Sequence, residues 1–213
     1  MYLPPHFAET RPHVLRDFIA SHPLGLLVTQ NRAGGIDANS VPFFLDVDDQ
    51  ATPGVLRAHV ARANPIWKEA RDDVDALVVF EGPHGYVSPG WYPSKAEHGK
   101  VVPTWNYVMV QARGRLRAID DKAWLHAFVT RLTDRHEGGR AAPWAVTDAP
   151  ADFVQTMLGA IVGIEIPLSS LVGKWKVSQN RSAADRAGVV DGLLRERADT
   201  ALAGEVRAPG GAA

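Results

Sequence analysis

Three stretches of the sequence hold residues that could bind a ligand, and the first is HVARANPIWK. It places His59, Arg62 and Asn64 where a predicted strand turns into a short predicted helix that begins at Pro65. Free N–H groups at the start of a helix, with an arginine beside them, bind anions such as a flavin or nucleotide phosphate. The residue types alone favour a structural alternative, in which Asn64 caps the helix, Arg62 is solvated and His59 is an ordinary strand residue.

The second stretch, YVSPGWYPSKAEHGKVVPTWNY, holds three of the four tyrosines and two of the six tryptophans of the chain. Prolines, glycines and lysines separate these rings, so the segment has no regular face that suits burial in a core. Rings beside Lys95, His98 and Lys100 could border a planar, anionic ligand, and the same composition is typical of protein interfaces. We therefore predict that this segment contributes to a ligand site or to an interface.

The third stretch is GKWKVSQNR. Strand alternation places Lys174, Lys176 and Ser178 on one side of a predicted strand, with Trp175 and Val177 on the other. Two cations and a hydroxyl in a row could hold a phosphate or a carboxylate. A solvated strand face explains the same pattern equally well.

Several kinds of site are excluded or disfavoured. The chain has no cysteine, which excludes disulfides, thiolate metal ligands and a cysteine nucleophile. The eight histidines show no metal-binding spacing, and no glycine-rich phosphate loop leads from a strand into a helix. The formal charge of -1 argues against a large positive field, so contact with nucleic acid would require a local patch.

About six predicted strands in hairpin-like order position the three stretches, with helices at both ends and one between. The first helix carries Val14, Leu15, Phe18 and Ile19 on one face. The clearest amphipathic helix is predicted in the segment DDKAWLHAFVTRLTDRHE. This order of elements predicts an α+β fold with a mostly antiparallel sheet or a small barrel.

Length and composition are those of one globular domain, with 213 residues, 46% apolar and 22% charged. We expect this domain over residues 1–198 and a disordered tail over residues 199–213. No apolar run is long enough to span a bilayer, and the first residues lack the basic start and apolar segment of a signal peptide. We therefore expect a cytoplasmic location.

Six motifs, taken together, resemble the Pai-type FMN-binding negative transcriptional regulators. They are MYLPPHF, HVARANP, the long aromatic stretch quoted above, DRHE, PWAV and GKWKVSQNR. The resemblance implies a split β-barrel related to the pyridoxamine-phosphate oxidase and flavin-reductase folds. It also implies a homodimer with FMN held near the subunit interface, and a negative transcriptional regulator; the family prototype represses protease and sporulation functions.

The resemblance implies a cofactor site formed by residues from all three stretches. The first stretch would hold the phosphate end of FMN through His59, Arg62 and Asn64. The aromatic stretch would line the ring system, and the closing strand would add cations and polar groups. The other cofactor-binding residues that it implies are Tyr92, Lys95, Thr104, Trp105, Asn106, Tyr107, Lys174, Lys176, Ser178 and Gln179.

The sequence leaves two other functions open. A heme-dependent enzyme group that forms the N–N bond of piperazate is similar to this family. In that case heme b would replace FMN, His59 would be the axial iron ligand, and cations would receive the propionates. A flavin-dependent oxidoreductase is the other alternative, because bound FMN supplies redox chemistry itself. Direct DNA binding has no clear helix-turn-helix motif to support it.

Overall fold

The computed structural model describes residues 1–47 and 53–211, and in these ranges it has seven α-helices and nine β-strands. The helices are α1 (Pro12–Ser21), α2 (Ile66–Glu69), α3 (Ser94–His98), α4 (Lys122–Glu137), α5 (Ala151–Gly159), α6 (Ala183–Arg197) and α7 (Thr200–Arg207). The strands are β1 (Ala8–Glu9), β2 (Leu24–Gln30), β3 (Ile36–Pro42), β4 (Phe44–Asp46), β5 (Val55–Ala61), β6 (Ala76–Val87), β7 (Thr104–Gly114), β8 (Arg117–Ile119) and β9 (Ile161–Lys176). Among the helices of these ranges, none is both long and apolar enough to cross a bilayer.

The strands form one nine-stranded sheet whose main path runs β3-β2-β6-β7-β9-β5-β4. Strands β1 and β8 each pair with β9 outside this path. The pairings of β2 with β3 and β6, and of β9 with β1, β5 and β8, are antiparallel. The predicted α+β class with a mostly antiparallel sheet is therefore confirmed. The sequence indicated only about six strands because β1, β4 and β8 have two or three residues each and show no pattern of their own.

The described chain divides into two compact units. The first unit combines Met1–His22, Phe80–Gln111 and the described part of Leu171–Ala213. The second unit combines Pro23–Val79 and Ala112–Ser170. The predicted domain limits of 1–198 and 199–213 stay a prediction.

Helix α1 supplies much of the core of the first unit. Val14, Leu15, Phe18 and Ile19 are buried, as their spacing along a helix predicts. The ring of Phe18 meets the indole of Trp175 on β9 edge-on, at 5.3 Å between ring centroids. This packing holds the end of β9 against α1, close to the lysines discussed below.

The C-terminal segment contains a helix that the expected disorder of residues 199–213 did not anticipate. Asp199 begins α7, because its carboxylate accepts a hydrogen bond from the N–H of Leu202 at 3.0 Å. Leu202, Ala203 and Val206 are buried along one face of this helix. Because the buried face has only three positions, one of them an alanine, the helical periodicity of this segment is weak in the sequence. Residues 212–213 lie outside the described residues.

The second unit is built around the antiparallel pairing of β5 with β9. Leu56 on β5 pairs in register with Ile166 on β9, and both side chains are fully buried. Leu125 and Phe128 are the buried residues of α4, which starts where Asp121 accepts a hydrogen bond from the N–H of Trp124 at 2.7 Å. The strand that carries His59 and leads to Arg62 is thus held between β4 and β9.

Candidate cofactor site

Two lysines at the end of β9 direct their ammonium groups to the same side of the strand. The Nζ atoms of Lys174 and Lys176 lie 5.3 Å and 5.9 Å from the ring centroid of Tyr107. The predicted alternation along this strand is therefore confirmed for the two lysines. Lys174 is only 7% exposed, and it donates to the main-chain oxygen of Tyr2 at 2.9 Å. Lys176 donates to Oγ1 of Thr104 at 2.5 Å.

No carboxylate neutralises these two lysines within residues 1–47 and 53–211. Their partners there are uncharged oxygens, from Tyr2, Thr104 and the main chain of Trp105, and aromatic rings. Burial lowers the pKa of Lys176, and the positive charges of Lys174 and Arg181 lower it further. A bound anion beside Lys176 would stabilise its charged form.

Arg181, in the turn after β9, is the third cation. Its guanidinium carbon lies 4.9 Å from the ring centroid of Tyr92. Although burial opposes it, the pKa of Asp185 is lowered by hydrogen bonds from the N–H and the hydroxyl of Ser94, at 3.2 Å and 2.9 Å, and further by the charge of Arg181. We refer to Lys174, Lys176 and Arg181 as the cationic cluster.

A cavity of about 520 Å³ opens beside Lys174 in the first unit, a volume typical of small-molecule sites. Trp105 is 49% exposed, and its indole lies 6.0 Å from the ring of His84, at an interplanar angle of 25°. Tyr86 meets the same indole edge-on at 6.4 Å. Exposed, ordered rings of this kind suit a flat ligand. The lining residues are Met1, Tyr2, Glu81, Gly82, His84, Trp105, Tyr107, Val108, Met109 and Lys174.

Three of the predicted site residues hold the turn after β9 in place. Asn106 is 1% exposed and donates from Nδ2 to the hydroxyl of Ser178 at 2.9 Å. Ser178 has a φ of 68°, in the left-handed region that residues other than glycine rarely adopt. The Gln179 side chain donates to the carbonyl of Trp175 at 2.5 Å and accepts from the N–H of Val177 at 2.8 Å. These contacts fix the backbone between Lys176 and the third cation.

The aromatic stretch divides into a buried part and an exposed part. Trp91 and Tyr92 are buried, because Gly188 and Gly192 leave a groove on α6 into which Trp91 packs. Lys95 lies on α3 and is exposed. The sequence interpretation gave the whole stretch to a ligand site or an interface. It missed this burial because the groove that receives Trp91 is formed about 100 residues further along the chain.

His59, Arg62 and Asn64 lie in the second unit. The guanidinium of Arg62 there forms hydrogen bonds through all three of its nitrogens. Its Nη1 and Nη2 form a bidentate ion pair with Asp120 at 2.9 Å and 2.6 Å. Its Nε donates to the carbonyl of Gly159 at 2.7 Å, and Nη2 also reaches that of Ile161 at 3.1 Å. Every nitrogen of this guanidinium thus has a protein partner.

Asn64 and His59 also have defined structural contacts in the second unit. Asn64 accepts a hydrogen bond from the N–H of Ile66 at 3.1 Å and donates to Asn39 at 3.0 Å. It therefore stabilises the turn that precedes α2, a helix of a single turn. The ring of His59 packs edge-on against Phe128 at 6.1 Å, and burial lowers its pKa. Its buried Nδ1 has no hydrogen-bond partner among the described residues, whereas an iron-binding histidine usually donates this second N–H to an oxygen.

Comparison with known proteins identifies the family. The family described as "Putative FMN-binding domain" matches residues 1–170. The chain belongs to this FMN-binding family. An uncharacterized protein of Aspergillus fumigatus, 34% identical, covers 91% of this chain and 90% of its own. The protease synthase and sporulation protein PAI 2 of Bacillus subtilis is 29% identical over 92% of this chain and 90% of its own.

A solved structure identifies the fold as a split β-barrel. The FAD and heme binding protein of Mycobacterium smegmatis has a TM-score of 0.55 and 19% identity, over 79% of this chain and 73% of its own. The FMN-binding family gives this chain FMN as its cofactor. The chemistry of the residues fits that cofactor, because the buried ammonium group of Lys174, which has no carboxylate partner among the described residues, lies beside exposed rings and a cavity.

Sequence reasoning missed part of the cavity wall. Tyr2 and His84 line the cavity with Glu81, and none of them was a predicted site residue. Tyr2 lies in MYLPPHF, a motif that contributes to the family resemblance but from which no site residue was predicted. His84 lies in a strand whose interior holds Gly82, Pro83 and Gly85, and such residues inside a strand indicate a bulge or a close approach.

Proposed function

We propose that this member of the FMN-binding family holds the phosphate of FMN with its cationic cluster and borders the flavin ring with its exposed aromatic residues. The observation that carries this proposal is Lys174, an ammonium group that is 7% exposed and has no carboxylate partner among the described residues. A phosphate monoester carries roughly −1.5 to −2 charges at neutral pH and would supply the missing negative charge. When bound, FMN supplies electron and hydride transfer.

Different residues of the first unit would contact the phosphate and the ring system of FMN. Lys174 and Lys176 supply charge-assisted donors, while Trp105 and Tyr107 offer ring faces and edges to the flavin. The contact between Asn106 and the turn after β9 orients the cations rather than contacting the ligand. We therefore propose Asn106, Ser178 and Gln179 as positioning residues.

The phosphate assignment is tested by comparing FMN with riboflavin, which lacks the phosphate. Replacing Lys176 by Met should weaken FMN about 10- to 150-fold, the equivalent of a charged hydrogen bond of about 1.5–3 kcal/mol. Riboflavin affinity should stay unchanged in this variant, as measured by quenching of flavin fluorescence. Lys122, an exposed residue at the start of α4, gives the control variant Lys122→Met. Equal weakening of both flavins by Lys176→Met would contradict the assignment.

The placement of FMN phosphate at His59, Arg62 and Asn64 stays a prediction, and Arg62→Ala tests it. The ion pair with Asp120 supports a structural role, so we expect this variant to lose thermal stability and keep its FMN affinity. A loss of FMN affinity that riboflavin does not share, at unchanged stability, would favour the first stretch as the phosphate site. The absorbance spectrum of the purified protein tests heme at the same time, because heme adds an intense Soret band to any flavin spectrum.

For the biological role, we propose a regulator of gene expression that acts as a homodimer. The support is the name of the Bacillus subtilis relative, which refers to protease synthesis and sporulation. The formal charge of -1 and the small extent of the cationic cluster argue for binding of a compact anion more than of a long stretch of DNA. A gel shift with the DNA upstream of its own gene, at physiological salt, tests direct binding, because non-specific complexes are weak there.

A further inference from the structure

The first four residues of the chain return to the lysine that carries the proposed phosphate site. We call residues 1–4 the N-terminal strap. A short 3₁₀ turn, Pro5–Phe7, links the strap to β1, in which Ala8 pairs with Lys174 of β9. Before this turn, the main-chain oxygen of Tyr2 accepts a hydrogen bond from the ammonium group of Lys174 at 2.9 Å. The strap therefore contacts the side chain of the same residue whose backbone pairs with β1.

The strap is firmly attached at one end only. Phe7 is buried and β1 is paired with β9, so the chain that follows the strap is fixed in the first unit. Tyr2, in contrast, is 83% exposed. Its polar contacts within residues 1–47 and 53–211 are both to Lys174: the hydrogen bond and a cation–π contact, with Nζ 5.5 Å from the ring centroid. A ligand that takes this ammonium group would thus free the strap.

Two consecutive prolines favour the closed arrangement of the strap. Pro4 has φ -59° and ψ 141°, the extended polyproline conformation. Its ring fixes φ, and Pro5 restricts the residue before it to the same extended region. The main-chain oxygen of Pro4 also accepts a hydrogen bond from the N–H of Phe7 at 2.9 Å. Because few other conformations are open to these residues, the strap loses little entropy when it closes on Lys174.

We propose that the phosphate of FMN competes with the N-terminal strap for Lys174 and releases it. The strap offers the ammonium group a neutral carbonyl oxygen, whereas the phosphate adds direct attraction between opposite charges. Met1 and Tyr2 also line the cavity beside Lys174, so a ligand that enters the cavity meets the strap. This inference rests on the proposed phosphate site, and it gives that site a regulatory output: the strap is closed without FMN and open with it.

Pro4→Gly in the full chain tests the competition. Glycine gives the open strap more conformations and so disfavours closure, and FMN should bind about two- to fivefold more tightly in a fluorescence titration. Riboflavin affinity should stay unchanged, because riboflavin has no phosphate. Pro150, which precedes α5, gives the matched control Pro150→Gly, since its φ of -56° and ψ of 138° are similar and its oxygen also accepts a bond from a following N–H. This control should leave both affinities unchanged.

The movement itself can be followed with a nitroxide spin label, because the chain has no cysteine of its own. On Tyr2→Cys the label should give a broad, immobilised spectrum without flavin, and saturating FMN should narrow it, whereas saturating riboflavin should not. Lys174→Met should narrow the spectrum without any flavin, because the strap then lacks its ammonium partner. The same label on Phe153→Cys, a residue 54% exposed on α5, should respond to neither flavin.

The two measurements separate failure of the strap from failure of the phosphate site. If FMN binds more tightly than riboflavin but the label on the strap stays broad, or if the label is already mobile without flavin, only the strap is overturned. Weaker FMN binding by Pro4→Gly would mean that the strap clamps the cofactor, which also contradicts the competition. Equal affinities for FMN and riboflavin in the unaltered protein would overturn the phosphate site, and the release that rests on it.

Discussion

The groove on α6 that receives Trp91 leads to a prediction that runs against helix propensity. Gly188 and Gly192 are four residues apart and therefore lie on one face of the helix. A Cβ atom at Gly192 would lie 2.5 Å from Cγ and Cε2 of Trp91, and one at Gly188 would overlap the main-chain oxygen of Trp91. Carbon atoms in contact normally lie about 3.5–4.0 Å apart, so the overlap exceeds what small adjustments remove.

The expected change in folding stability on replacing Gly188 by alanine follows from two opposing effects. Glycine to alanine inside a helix gains about 0.8–1.0 kcal/mol from propensity, whereas overpacking costs about 1–3 kcal/mol. Gly204, inside α7, has no atom within 4 Å of the position of an added Cβ and gives a control in which only the gain applies. Gly188→Ala should therefore be about 1–3 kcal/mol less stable than Gly204→Ala.

Thermal unfolding followed by circular dichroism measures this difference. For a chain of this size, about 1–3 kcal/mol corresponds to roughly 2–12 °C in Tm between Gly188→Ala and Gly204→Ala. Gly204→Ala should lie above the wild type, and Gly188→Ala should lie below or level with it. If both variants raise the Tm equally, Trp91 is not held in a glycine groove and the packing described for the aromatic stretch is wrong.

Two further predictions concern the cationic cluster and its turn. FMN affinity should fall as the pH rises through the pKa of Lys176, because the phosphate favours the ammonium form. This pKa lies below the ordinary value of 10.5. In a fluorescence titration, Lys176→Met should flatten this part of the pH profile of FMN affinity. Ser178→Gly should be about 1–2 kcal/mol more stable than Ser178→Ala, because both lose the bond from Asn106 but only glycine tolerates the φ of 68°. Urea unfolding measures the second difference, and equal midpoints with equal slopes would refute the role given to backbone strain.

The sequence predicted those parts of the fold that short-range periodicity determines. The buried face of α1, from Val14 to Ile19, and the common side of Lys174 and Lys176 follow from the spacing of residues within one element. The α+β class follows from the order of those elements. The motif resemblance identified the family and its cofactor, because motifs preserve residue types even where the arrangement is unknown.

The remaining features depend on contacts between residues far apart in the chain. Lys174 bonds to the main chain of Tyr2, 172 positions away, and no local pattern indicates such a partner. Arg62 was predicted to bind an anion because its ion-pair partner, Asp120, lies 58 positions away and is not visible in the local sequence. Sequence patterns show which residue types could bind a ligand, whereas only the fold shows which of them already have a partner.

Mutual repulsion within the cationic cluster also has a consequence for the fate of the chain in the cell. If an anion relieves this repulsion, the bound form is more stable than the apoprotein by RT ln(1 + [L]/Kd), about 2.7 kcal/mol when the free ligand is a hundred times its Kd. Unfolded molecules are removed by proteases, so a stability change of this size alters steady-state abundance several-fold. Riboflavin starvation would then deplete the polypeptide itself, and its turnover would report the nutritional state of the organism.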